Sequence, residues 1–301
     1  MSTPADYGRA RPGRNQGVIH DLGYRHYDGP RLGRAVITRA LFVESAKGAY
    51  GLGRSARSKV MPMILLAAMC LPAIIIAIVT VVTKADAPSY TAYLLNTELL
   101  VMVYVAGQAP ASVSRDLRFR VISLYFSRPI RRIDYVAAKY AAMAVALLVF
   151  MVLPLTILFA GALLAKLPIG DQVPNYLRSL AGAVLLALVL AGIGLVIAAL
   201  TPRRGLGVAA VIAVLAMLAG VQAAVQAIAD DQGRDTFAGY AGLISPFTIV
   251  DGVQSALLGA DTVLPAQPPG IAGGLVFLLA ALLIVAGSFG ALLMRYRKVS
   301  I

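Results

Sequence analysis

Residues able to do covalent or metal chemistry are scarce in this chain. It has one cysteine, Cys70, and two histidines, His20 and His26, beside 14 acidic residues. Cys70 lies inside an apolar run, where it reads as a small buried hydrophobe and has no partner for an intrachain disulfide. Both histidines fall in a polar N-terminal stretch with no spacing that joins them to thiolates or carboxylates, so no metal site is expected. No Ser-His-Asp set, HExxH or paired carboxylates can be assembled. The glycine-rich GAYGLGRSARSK has neither the spacing of a Walker phosphate loop nor a strand before it. The expectation is a chain with no catalytic residues and no cofactor of its own. If it does driven work, something else supplies the energy.

Polar groups inside apolar runs are the next place to look, because each is costly in lipid and tends to face a cavity or a partner. Glu98 lies early in such a run, beside Asn96 and Thr97. It reads either as a substrate or proton contact or as a hydrated interfacial residue ordering a helix end. Gln222 and Gln226 are four apart and share a face with Ala219, Ala223 and Ala227. A stripe of small and amide residues lets helices approach and hydrogen-bond. It serves a dimer seam, a transport path or plain intrachain packing.

The richest stretch runs from Ser112 to Lys139. Arg115, Arg118, Arg120, Arg128, Arg131, Arg132 and Lys139 stand there against only Asp116 and Asp134, with Phe119, Leu124, Tyr125 and Phe126 among them. Pro129 then disfavours helix at Arg128. A basic, partly apolar segment broken by proline suits docking on a partner, and topology alone also gathers arginines in such loops.

These residues must be positioned by a membrane protein. The 301 residues are 59% hydrophobic and 14% charged, with a mean hydropathy of +0.80. Soluble domains run near 45–50% apolar and about 25% charged. The net charge of +13 does not point to nucleic acid, since it sits in segments that alternate with apolar runs and lacks interleaved stacking aromatics. Residues 1–31, rich in Gly, Arg, Tyr, Pro and Asp, read as a cytoplasmic tail with at least partial disorder. Residues 32–59 carry Leu32, Ala35, Val36, Ala40, Phe42 and Val43 against Arg34, Arg39, Glu44 and Lys47. This predicts a basic amphipathic helix lying in the headgroup region, in contact with anionic lipid.

Six apolar runs follow, at about 60–83, 93–111, 136–165, 177–200, 205–229 and 271–294. Each is long enough to cross a core of about 30 Å as a helix. The fold class expected is therefore an all-α polytopic membrane protein with six spans in residues 60–294, a basic loop at 112–135 and a short C-terminus at 295–301. Of the 27 Lys and Arg residues, eleven precede Val60, seven lie from Arg115 to Lys139, and Arg203, Arg204, Arg295, Arg297 and Lys298 fall on the same side. Only Lys84, Lys166, Arg178 and Arg234 fall on the other, which puts both termini in the cytoplasm. The last external segment, 230–270, turns apolar through LISPFTIVDGVQSALLG, with Ser245-Pro246 as a helix start. It reads as a re-entrant helical hairpin or a plain external loop helix.

At Asp116, Ser127, Pro129, Arg132 and Lys139 the chain resembles the ABC-2 permeases, the membrane subunits of ATP-binding-cassette transporters. That family has an acidic residue ending the second span region, then a serine, a proline, an arginine, and a lysine opening the third span. The family's usual Gly-Thr is replaced here by Arg120-Val121 nearby. The opening IHDLGYRHYDGPRLGR looks like the tail of some actinobacterial permeases of this type. The resemblance implies an elbow helix, six spans and a large last external loop in a bacterial plasma membrane. It also implies a dimer of such subunits, homo- or heteromeric, on two cytoplasmic ATPase subunits that hold the ATP and magnesium. The 112–135 loop would then be the coupling element, with Arg128, Arg131 and Arg132 pairing acidic groups of the ATPase. Phe119, Leu124, Tyr125 and Phe126 would fill its apolar cleft. An exporter of an amphiphilic, lipidic or drug-like substrate is expected. The alternatives are a non-transporting scaffold or sensor subunit and a stand-alone secondary transporter, which would want more intramembrane charge than Glu98.

Overall fold

A computed structural model describes residues 33–84, 88–118, 130–201, 203–262 and 266–297, together with Gly29, Tyr125 and Leu264. Every regular element among them is helical. In chain order these are α1 (Arg34–Ala49), α2 (Ala56–Thr83), α3 (Tyr90–Asn96), α4 (Glu98–Arg118), α5 (Arg132–Leu164) and α6 (Ile169–Leu200). Then come α7 (Arg204–Asp231), α8 (Asp235–Ala241), a single 3₁₀ turn at Gly242–Ile244, α9 (Pro246–Leu258) and α10 (Gly270–Arg297). Five of them, α2, α5, α6, α7 and α10, are long and apolar enough to cross a membrane. The protein is accordingly a membrane-embedded helical protein. The expected tail at 1–31 lies outside the described residues except for Gly29, as do 298–301 at the C-terminus.

Two layers account for the packing. Within their most apolar 18-residue windows α5 and α6 are 56% and 61% buried, whereas α2, α7 and α10 are each 17% buried. So α5 and α6 form the middle with α4, and the other three line the flanks. Leu71, Ile75, Ile78 and Val82 of α2 and Leu275, Leu279 and Leu283 of α10 face outward. Such an apolar surface would be a liability in water and is the expected surface in lipid.

The second expected span differs from its forecast at 93–111. Thr97 interrupts the run, its hydroxyl donating to the carbonyl of Tyr93 at 2.8 Å, and divides it into α3 and α4. Helix α4 continues to Arg118, so residues 112–118 of the expected loop are helical. From Val101 to Ser114 nearly all of its side chains are buried. A helix enclosed by other helices has no need of apolar residues all round, which is why its hydropathy is low. Ser114 is accommodated because a neighbour supplies its partner: it donates to the carbonyl of Ala198 at 3.0 Å.

The 32–59 segment also divides. Helix α1 stops at Ala49, a turn follows, and the first long helix begins at Ala56. Gly51 makes the turn possible: its φ is +68°, and a Cβ there would meet the carbonyl oxygen of Ser58 at 2.4 Å. Helix α1 lies against α5, and Tyr50 donates to the Ala146 carbonyl at 2.7 Å. Its packed positions include Ile37 and Leu41, while Val36 and Ala40, expected on the apolar face, are exposed. The arginines interrupt the apolar residues around the whole helix, so tertiary contact with α5 selects the inward face.

Ser245-Pro246 starts α9 as expected, with proline at the first position. Phe247, Ile249, Val250 and Val253 are buried, and this short helix packs on α6 and α10. The segment 246–258 is therefore a folded part of the bundle.

Candidate functional site

Helix ends sort into two groups. Contacts join the start of α1, the ends of α4, α6 and α10 and the start of α5. The opposite end gathers α3, the start of α6, α8 and α9. Arg34, Arg54, Arg57, Arg131, Arg132, Lys139, Arg203, Arg204, Arg295 and Arg297 all belong to the first group. The second holds Lys84, Lys166, Arg178 and Arg234.

At the basic end the structure joins two residues singled out in the sequence. Asp116, near the end of α4, and Lys139, in the second turn of α5, form an ion pair at 3.0 Å. Their side chains are only 16% and 10% exposed. Lys139 also donates to the Ser112 carbonyl at 3.0 Å, and Tyr135 donates to the same Asp116 oxygen at 2.7 Å. Tyr135 and Lys139 are four apart and so share one helix face. The Tyr135 ring lies between Tyr125, at 5.6 Å between centroids, and Tyr296, edge-on at 5.1 Å. A buried charge needs both a counter-charge and further hydrogen bonds, and this cluster supplies them. It fastens together the two ends of the segment from Asp116 to Lys139. Above it is a cavity of about 170 Å³ lined in part by Glu44, Arg54, Gln108 and Tyr125.

A second fastening lies beside it. Asp134 in the first turn of α5 accepts the backbone N–H of Arg131 at 3.0 Å and forms an ion pair with Arg34 of α1. Arg131 is exposed. Arg132 is half-buried and donates to the backbone carbonyl of Arg297 at 3.2 Å, so it is engaged with the end of its own α10. Of the remaining expected docking residues, Tyr125 is half-buried. Phe119, Leu124, Phe126, Arg128 and Pro129 lie outside the described residues.

The polar residues of the spans are distributed differently. Glu98 is half-buried in the first turn of α4, where a carboxylate is favoured by the helix dipole. Gln222 and Gln226 are 5% and 3% exposed, and Gln222 donates to Gln226 at 2.7 Å. Gln226 donates in turn to the Ala266 carbonyl at 3.0 Å. The pair thus binds α7 to the segment before α10 within one chain. Sequence reading did not single out Asp251 of α9, which is 3% exposed. It accepts a hydrogen bond from Thr262 at 2.5 Å, and its other carboxylate oxygen has no partner among the described residues. Burial pushes its pKa up to about 6. An aspartate amid apolar residues on a short helix gives no sequence signal, and neither does the 23-residue separation of Asp116 and Lys139.

Among the described residues no group of three or more His, Cys, Asp and Glu side chains could hold a metal ion. What the basic end offers is a fastened loop base beside cationic cavities, suited to docking and to anion binding. No family model matches the chain, and no curated protein matches it significantly.

Proposed function

We propose that this chain is the membrane subunit of an ATP-binding-cassette transporter of the ABC-2 type. In this reading α4 is a sixth crossing, since its 21 residues span about 31 Å at 1.5 Å each. The basic end faces the cytoplasm by the positive-inside rule, in a bacterial plasma membrane. Helix α1 is the elbow, and the segment following α4 couples a separate cytoplasmic ATPase to the spans. That subunit supplies ATP, magnesium and hydrolysis, and a second permease copy completes the translocation path. In this reading the cargo is an amphiphilic, lipidic or drug-like molecule moved outward.

The observation carrying the proposal is the Asp116–Lys139–Tyr135 cluster. A loop that is to transmit force from a partner needs a rigid base, and this one is fixed to two of the central helices. A tagged copy isolated gently from its host should bring down an ATP-hydrolysing subunit in about equal amount. Arg131→Glu, at an exposed position with no role in holding α10, should weaken that association. Recovery of the chain alone, or association indifferent to Arg131→Glu, would move the weight to a scaffold subunit or a secondary transporter.

A further inference from the structure

Three arginines at the basic end have no counter-ion among the described residues. Arg54 in the turn after α1, Arg57 in the first turn of α2 and Arg204 opening α7 line a cavity of about 280 Å³ together with Ser58 and Gln108. None of the three guanidinium groups makes a hydrogen bond or ion pair among the described residues. Glu44 and Asp116 line the adjoining cavity, but Asp116 is engaged by Lys139 and Tyr135, and Glu44 pairs with none of the arginines. Gln108 is 6% exposed, and its only partner among the described residues is the sulfur of Met61 at 3.6 Å. A thioether is a weak acceptor, so this buried amide keeps hydrogen-bonding capacity beside the cavity. A water's share of liquid volume is about 30 Å³, so the space admits a group several times larger.

The surroundings decide what kind of anion fits. From Arg57 the outer face of α2 continues through Val60, Ile64, Leu71, Ile75 and Val82, each more than half exposed. Their three-, four- and seven-residue steps place them in one lane along the helix. Cations at the head of an apolar lane match an amphiphile with an anionic head and hydrocarbon tails. Planar, fixed-charge guanidinium groups suit phosphate in particular.

We infer that the Arg54–Arg57–Arg204 cavity is a binding site for the phosphate headgroup of a lipid, whose chains lie along α2. The site goes beyond the transporter reading and does not need it, because it is complete in the chain by itself. Gly48 helps to keep it open: a Cβ there would lie 3.1 Å from the Arg54 guanidinium.

The test uses the full chain in neutral detergent, titrated with phosphatidylglycerol, with phosphatidylcholine or with inorganic phosphate, and read by native mass spectrometry. Phosphatidylglycerol should be retained and phosphatidylcholine should not. Changing Arg54, Arg57 and Arg204 together to Gln should weaken retention by on the order of tenfold to a hundredfold at low salt. The matching triple Lys variant should restore part of it, and Arg234→Gln, which removes an exposed charge at the opposite end, should leave it unchanged. Because the Lys variant carries the same three substitutions in charged form, a folding defect in the Gln variant is distinguishable from loss of the site. Retention of phosphatidylglycerol by a folded Gln variant would overturn the site. Inorganic phosphate binding as tightly as the lipid, and displacing it, would overturn the lipid as occupant.

Discussion

Replacing Lys139 by Met should cost far more than replacing both members of its ion pair. At 3.0 Å and an effective dielectric near 20 the attraction between Lys139 and Asp116 is about 5 kcal/mol before desolvation. Desolvation offsets most of that, since both side chains are largely withdrawn from solvent. Lys139→Met alone removes the counter-charge of Asp116 and leaves Tyr135 as its partner among the described residues, and stranding a buried charge costs about 3–5 kcal/mol. Asp116→Asn alone strands the ammonium group, which keeps the Ser112 carbonyl and, at 5.7 Å, the Tyr135 ring. The double variant removes both charges and should lose no more than about 1–2 kcal/mol, so single costs of about 3–5 kcal/mol each give a coupling of about 4 kcal/mol or more. The assay is reversible unfolding in mixed micelles of dodecyl maltoside and dodecyl sulfate, followed by helix signal, for wild type, both single variants and the double. Single-variant costs below about 1 kcal/mol that simply add in the double would refute the account of this cluster as a buried, mutually dependent pair. The double variant separates stability from function as well. It should fold nearly as well as wild type yet associate less with the ATPase, because the loop base is no longer fastened.

Asp251 makes stability depend on pH in the direction opposite to most carboxylates. Its folded pKa of about 6 lies above the ordinary aspartate value of about 3.9. The folded state therefore holds the proton more tightly, and stability is greatest below about pH 4, falls by up to about 3 kcal/mol as pH rises to 6, and is level above. Asp251→Asn should flatten that slope and raise the neutral-pH melting midpoint; an unchanged slope between pH 4.5 and 7.5 would remove Asp251 as its source. Gly182→Ala would set a methyl group about 2.0 Å from the Gln254 carboxamide carbon, which must shift and release the Arg178 carbonyl. A loss of about 1–3 kcal/mol is expected, with earlier proteolysis in the 259–269 segment, and wild-type protection there would contradict it. Arg34→Ala breaks an ion pair at an exposed position and should scarcely move the melting midpoint, with even that difference vanishing at high salt.

Much of the fold was readable from the chain because lipid leaves few choices for an apolar run of twenty residues. The runs at 60–83, 136–165, 177–200, 205–229 and 271–294 match α2, α5, α6, α7 and α10 closely, differing mainly at polar ends that hydropathy does not register. The region around Thr97 was harder, because burial by protein substitutes for burial by lipid and removes the apolar signal that a span otherwise carries. Helix α1 was harder for a related reason: its inward face is chosen by α5, and its own composition does not choose it. At the site, Asp116 and Lys139 were recognisable by residue type, but the contact between them follows from how α4 and α5 pack. The same holds for Arg54, Arg57 and Arg204, separated by up to 150 positions in the chain yet lining one cavity. Gln222 and Gln226 illustrate the converse, since a stripe compatible with several roles proves to be engaged inside the chain.

The central claim is that an ATPase docks on the segment joining α4 to α5. The most direct measurement places a photo-crosslinking residue at Tyr125 or Phe126, and separately at Lys166 at the opposite end, in cells that make the native partners. The account predicts an ATP-binding protein captured from 125 or 126 and not from 166. Capture from neither position, or equally from both ends, would contradict it.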